Sequence, residues 1–173
     1  GIPHEAAVAL PAGVPFHVGK GAGFYRAAEI EDLLHLLRAV HDPLDRYALA
    51  AFLTSPAVGA TDADLVAAFE HGADPAAVAA TRPDLAAAFE RLAALRRLAA
   101  SGSLETVTRA AVEGFDLATT ALLQPGGPRR ARNLAKAVAL ARRLDDEGRH
   151  GLFDLLRLLT DLRDREVREA EAE

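Results

Sequence analysis

The chain has no cysteine, no methionine and no tryptophan, and its only lysines are Lys20 and Lys136. Without cysteine there are no disulfides and no thiolate metal sites, and the redox compartment is left open. Without an initiator methionine, a chain beginning at Gly1 is expected to be processed or cut from a longer one. No apolar run reaches the length of a membrane span and no signal peptide is present, so the expected setting is cytoplasmic, with no membrane partner. The formal net charge is −5, which is not the basic excess of a free-standing nucleic-acid binder. Contact with nucleic acid has to come from a local patch.

Catalytic patterns are missing as well. Gly19-Lys20-Gly21 invites a phosphate-loop reading, but Gly13 lies one residue too far upstream and Gly21 stands where the magnesium-binding hydroxyl belongs. Gly19, Gly21 and Gly23 alternate, which is not the GxGxxG spacing of a dinucleotide fold. His35 and His41 are six apart and do not share a helical face, and there is no HExxH and no nucleophile elbow. Asp145-Asp146-Glu147 reads as a helix end. No catalytic constellation, metal site or cofactor site of the chain's own is expected.

What is present is helical. Val14–Val18 is the one strand candidate, bounded by glycines, and it shows no partner strand in the sequence. Arg26–Val40 carries Ile30, Leu33, Leu34, Leu37 and Val40 at the spacing of one helical face. Asp42-Pro43 is expected to cap a second helix ending near Leu53. Thr61 with Asp64 resembles a capping box opening a helix to about Glu70, closed by His71-Gly72. Asp74-Pro75 opens a short helix, Pro83 a longer one to Ala99, and Ser103 another to Val112. Phe115–Leu123, Arg129–Asp146 and Leu152–Ala170 complete the series, with Gln124–Pro128 as the clearest loop.

The basic residues concentrate after that loop. Arg129, Arg130, Arg132 and Lys136 surround a helix start, and Arg132, Lys136 and Arg143 share a face opposite Leu134, Val138 and Ala141. A helix N-terminus with outward arginines suits phosphate. A solvated face pairing with the acidic last helix is the plainer reading.

In order along the chain, Gly13-Val14-Pro15-Phe16, Gly23-Phe24-Tyr25, Glu29-Ile30-Glu31-Asp32-Leu33-Leu34, Asp42-Pro43, Ser55-Pro56, Gly59 and Asp62-Ala63-Asp64-Leu65 resemble the superfamily 1A DNA helicases of the UvrD/Rep type. The resemblance is nearest to the AddA/RecB-like helicase–nucleases. Glu113-Gly114-Phe115, Arg132-Asn133-Leu134 and the tail from Leu152 are similar to later pieces of the same family. The resemblance implies an all-α, irregular multi-helix accessory domain of the 2B type over residues 26–173. Residues 1–25 are then a short strand and turn left from the motor domain, or sequence foreign to the domain. Phe24, Tyr25, Arg26, Glu29 and Asp32 fall on the family's motif. Ala27 stands where the family often has arginine, and Val58 replaces the arginine before its Gly-Ile-Gly turn.

By that resemblance the chain is a non-catalytic accessory module of an ATP-dependent DNA helicase in repair and recombination. ATP and magnesium belong to the parent motor. The implied partners are duplex or forked DNA, the helicase's own motor domains and a nuclease subunit. The expected DNA contact is Arg129, Arg130, Arg132 and Lys136, with Gly59, Ala60 and Thr61 as a second, weaker site. The alternative is a protein-interaction module facing a nuclease subunit or the motor.

Overall fold

The computed structural model describes residues 7–9, 15–17, 23–70, 72, 75–80 and 82–171. The described residues form an all-α body of nine helices preceded by two three-residue strands. The expectation of an unpartnered strand is corrected here. Strand β2 (Pro15–His17) pairs antiparallel with β1 (Ala7–Ala9), placing Val8 opposite Phe16. The partner was not legible because an Ala-Val-Ala run is short and alanine is depleted in strands. Glycines 13, 19 and 21, His71 and the expected cap at Asp74 lie outside the described residues.

Helix α1 (Ala28–His41) is the centre of the body. It packs against α2 (Arg46–Leu53), α5 (Pro83–Ala99), α6 (Leu104–Gly114), α7 (Leu117–Leu122), α8 (Gly127–Asp146) and α9 (Leu152–Glu171). The spacing predicts one apolar stripe. The structure buries Leu36 and Ala39 in addition to Ile30, Leu33, Leu34, Leu37 and Val40, leaving only a narrow polar edge. A helix that is apolar on most of its circumference belongs inside a bundle. Glu29 and Glu31 in the first turn and Arg38 and His41 in the last oppose the helix dipole with the favourable signs.

Most of the expected helix starts hold. Thr61 and Asp64 bond reciprocally at the start of α3 (Asp62–Glu70), Pro83 opens α5, and the Ser103 hydroxyl accepts the Thr106 N–H at 3.1 Å. Asp42 does not cap α2. Its carboxylate takes the Leu44 N–H in a turn, while Asp45 caps α2 by accepting the Ala48 N–H at 2.9 Å. Arg38 fixes Asp45 there with an ion pair at 2.9 Å, a contact sequence spacing does not reveal. Helix α7 begins at Leu117 and not at Phe115, because the Phe115 ring turns into the core and meets Phe52 edge-on at 4.9 Å. Asp116, between them, adopts a positive φ of 51° to make the bend.

Asp145 also has a role beyond ending α8. It accepts the Leu104 and Glu105 N–H groups at 2.9 and 2.8 Å, capping α6 from across the bundle. Burial opposes ionisation there, but the two backbone bonds together with the His150 and Ser103 side chains outweigh it and hold the carboxyl below its ordinary range.

Candidate nucleic-acid interface

The arginine-rich helix start divides into two kinds of residue. Arg130 is half-buried and turned inward: Nη1 pairs with Glu29 at 3.3 Å and Nε donates to the Pro125 carbonyl at 3.0 Å. Glu29 is 7% exposed, and its other oxygen accepts the Asn133 side-chain amide at 2.8 Å. This triad sews the first turn of α1 to α8. Two family-motif pieces that are distant in sequence, the Glu29 segment and Arg132-Asn133-Leu134, therefore meet through Glu29 and Asn133. Moving Arg130 outward to a phosphate would leave the buried Glu29 carboxylate with Asn133 but without its cation.

Arg129, Arg132 and Lys136 are exposed on α8, and Leu134, Val138 and Ala141 are buried, as the spacing predicts. The Lys136 ammonium lies 5.8 Å from the centre of the Phe24 ring, and Phe24 meets Tyr25 edge-on at 4.7 Å. The aromatic turn and the basic helix are thus one surface. Arg26, next to the turn, is exposed too. Tyr25 is buried, and burial followed by the neighbouring Glu166 carboxylate pushes its hydroxyl up to about 12.

The backbone donors are less available than the sequence suggests. Gly126 takes a positive φ of 75° as the α8 cap, and its carbonyl accepts both the Arg129 and Arg130 N–H groups. Pro128 has none to offer, so the helix start brings few amides to an anion. The Gly59-Ala60-Thr61 turn is closed more completely. The Gly59 N–H goes to Ser55, the Ala60 N–H to Leu53 and the Thr61 N–H to Asp64, each at 2.8 Å. Thr61 also donates its hydroxyl to Asp64. A phosphate contact through this turn's amides would require breaking internal bonds.

The loop carrying this turn nevertheless lies beside α8. Pro56 and Ala57 share a pocket of about 250 Å³ with Glu29, Asp32 and Arg130. Asp32, the remaining family-motif residue, is half-buried in that pocket. Burial, followed by repulsion from Glu29, raises its carboxyl to about 6, against the pull of Arg130. Sequence reasoning placed Asp32 in a motif but gave it no environment. It missed Asn133 and Glu166 as partners of the motif, because both act across more than 100 residues of chain. Among the described residues no helix is long and apolar enough to cross a membrane.

No family model matches the chain. Its curated relatives are subunits of ATP-dependent helicase/nucleases. The Heliobacterium modesticaldum protein is 29% identical over 174 aligned positions, which cover 88% of this chain and 12% of that protein. The Moorella thermoacetica protein is 43% identical over 53 residues, 31% of this chain and 4% of the relative. A Bacillus cereus protein is 33% identical over 60 residues, 35% of this chain and 5% of the relative. The chain is therefore similar to a segment of the AddA-like helicase/nuclease proteins and spans only a small part of those relatives' length.

Proposed function

We propose that residues 26–173 form a non-catalytic accessory module, of the 2B type, in an ATP-dependent DNA helicase or helicase–nuclease acting in repair and recombination. Residues 1–25 then lead in from the motor, which carries ATP and magnesium. In this reading the module rests against duplex or forked DNA ahead of the motor and modulates unwinding. The observation that carries it is the outward face of α8, where Arg132 and Lys136 stand exposed beside the aromatic turn. That face lies in a chain aligned over most of its length with a helicase/nuclease protein.

The contact is made by side chains and not by a helix N-terminus. Arg129, Arg132 and Lys136 supply charge, and the Phe24 ring lies under Lys136. Such contacts are blind to sequence and sensitive to salt, with dissociation constants of roughly 10⁻⁴–10⁻⁶ M for non-specific binding. The test is the double substitution Arg132→Glu with Lys136→Glu, followed by duplex binding over a salt series. Both residues are exposed, so helicity should be unchanged while affinity falls and the log–log salt slope loses about 2. Unchanged binding by the double variant would make the stripe a solvated face.

A protein-facing role has its own support. Leu44, Tyr47 and Phe153 are large, apolar and exposed, and acidic Asp42, Asp45 and Asp161 lie among or beside them. Arg38 and Arg157 on that surface are paired with Asp45 and Asp161, which leaves little charge for phosphate. This surface suits the motor or a separate nuclease chain. Absence of duplex binding by the unaltered chain at low salt would favour it.

A further inference from the structure

The pocket beside the Glu29–Arg130 pair has an unbalanced charge. Glu29 is satisfied by Arg130 and Asn133. Asp32, one helical turn along α1, accepts no hydrogen bond and forms no ion pair among the described residues. It lines an open pocket of about 250 Å³ whose other walls include Pro56, Ala57, Leu117, Thr120 and Gln124. Across that lining Glu29 and Arg130 cancel, and Asp32 is left as one uncompensated negative charge. The loop and α7 bring no charged side chain to the wall, and Glu31 on the same helix adds to the negative potential. A half-buried carboxylate in such a place is short of a cation.

We propose that this pocket receives the side chain of an arginine or lysine from a partner protein, with its aliphatic stem against Pro56, Ala57 and Leu117 and its cationic head on the Asp32 carboxylate. The lining suits a basic side chain: Pro56, Ala57 and Leu117 are apolar surface for the methylenes, and Asp32, Thr120 and Gln124 carry groups able to accept from the head. With Glu29 and Arg130 balanced, the lining offers one net negative charge, which matches a side chain with a single cationic head and leaves the further cations of a polyamine without a partner. The carboxyl's position near 6, set by burial and by Glu29 and Glu31 against Arg130, makes occupancy sensitive to pH. Asp32 has to ionise to hold the cation, and a bound cation lowers the pH at which it does so.

The test uses the chain itself with Nα-acetyl-arginine amide as probe, Nα-acetyl-lysine amide as the second cation and Nα-acetyl-alanine amide as the neutral control. Two-dimensional ¹H–¹⁵N spectra would follow the amides of Asp32, Ala57, Leu117 and Thr120, and a ¹³C titration would follow the Asp32 carboxyl. The expected result is saturable shifts at those amides with a cationic probe and none with the alanine control. The Asp32 midpoint moves down when the probe is bound. Affinity falls about tenfold between pH 7 and pH 5, following the ionised fraction around a midpoint of about 6. Asp32→Asn abolishes the shifts while the far-ultraviolet spectrum stays that of the native chain. Absence of saturable shifts at pH 7, or equal shifts with the neutral control or in the variant, would overturn the assignment. Spermidine binding tighter than the blocked arginine would overturn the side-chain occupant. The DNA contact reads out at Arg132 and Lys136, so failure of either idea leaves the other standing.

Discussion

The Glu166 carboxylate, near the end of α9, accepts the backbone N–H of Tyr25 at 3.0 Å, joining residues 141 positions apart. The neighbouring N–H groups of Phe24 and Arg26 bias the same carboxylate toward its ionised form, while burial, the larger effect, raises it. A second tie runs parallel: Arg163 reaches Glu31 at 3.5 Å. The last helix therefore holds the turn through which the chain enters the helical body.

Removing that acceptor leaves a buried backbone donor unpaired. Glu166→Ala should cost roughly 1–3 kcal/mol, the range for such a loss. Glu166→Gln keeps an oxygen for Tyr25 and should cost less. Urea midpoints at pH 7 check the order, and amide exchange at Tyr25 should quicken in the alanine variant alone.

Asp32 should make the protein less stable as pH rises. Its folded carboxyl titrates near 6, above its ordinary value of 3.8, so the folded state binds the proton more tightly. The stabilising contribution is present below about pH 4 and is lost as pH passes through 6. Asp32→Asn should be more stable than the wild type at pH 7, with the difference shrinking toward pH 4. Thermal midpoints across that interval decide it. A constant difference would mean that Asp32 does not titrate there.

Arg130→Glu should damage the fold before it affects any ligand. It sets a second carboxylate against buried Glu29 in place of the pair at 3.3 Å. Breaking a buried pair costs roughly 3–5 kcal/mol, and the partial exposure of Arg130 places this one toward or below the lower end. Arg132→Glu, on the exposed face, should stay close to wild type. Denaturant curves for the two single variants make the comparison.

Asp145→Ala should remove two bonds from the start of α6, with a loss of about 1–2 kcal/mol. The folded carboxyl sits below its ordinary 3.8, so this contribution is present above that value and disappears as pH falls through the lower, folded value. The gap between wild type and variant should therefore close on acidification. Chemical denaturation at pH 7 and pH 3 measures it.

The purified chain should hydrolyse no ATP, with or without DNA. Its sequence has no Gly-Lys-Ser/Thr phosphate loop. Phosphate release above a buffer blank would contradict the accessory reading.

The elements whose cause is local were legible in the sequence. The Thr61–Asp64 box, Ser103, Pro83 and the outward face of α8 follow from side chains acting within one or two helical turns. The fold class follows from the same short-range spacing. The α2 cap failed by three residues because Arg38 selects Asp45 over Asp42 from the preceding helix. The pairing of Ala7–Ala9 with Pro15–His17 failed because strands of three residues have almost no periodicity to read. The candidate site was half legible: periodicity says which residues of α8 point away from its apolar side, but not what waits for them. Only packing α1 against α8 makes Arg130 the partner of Glu29, and leaves Asp32 beside a pocket whose cation, Arg130, is already paired. Burial makes that decision. A charge's cost depends on the water it loses, and the water it loses is set by neighbours a hundred residues away.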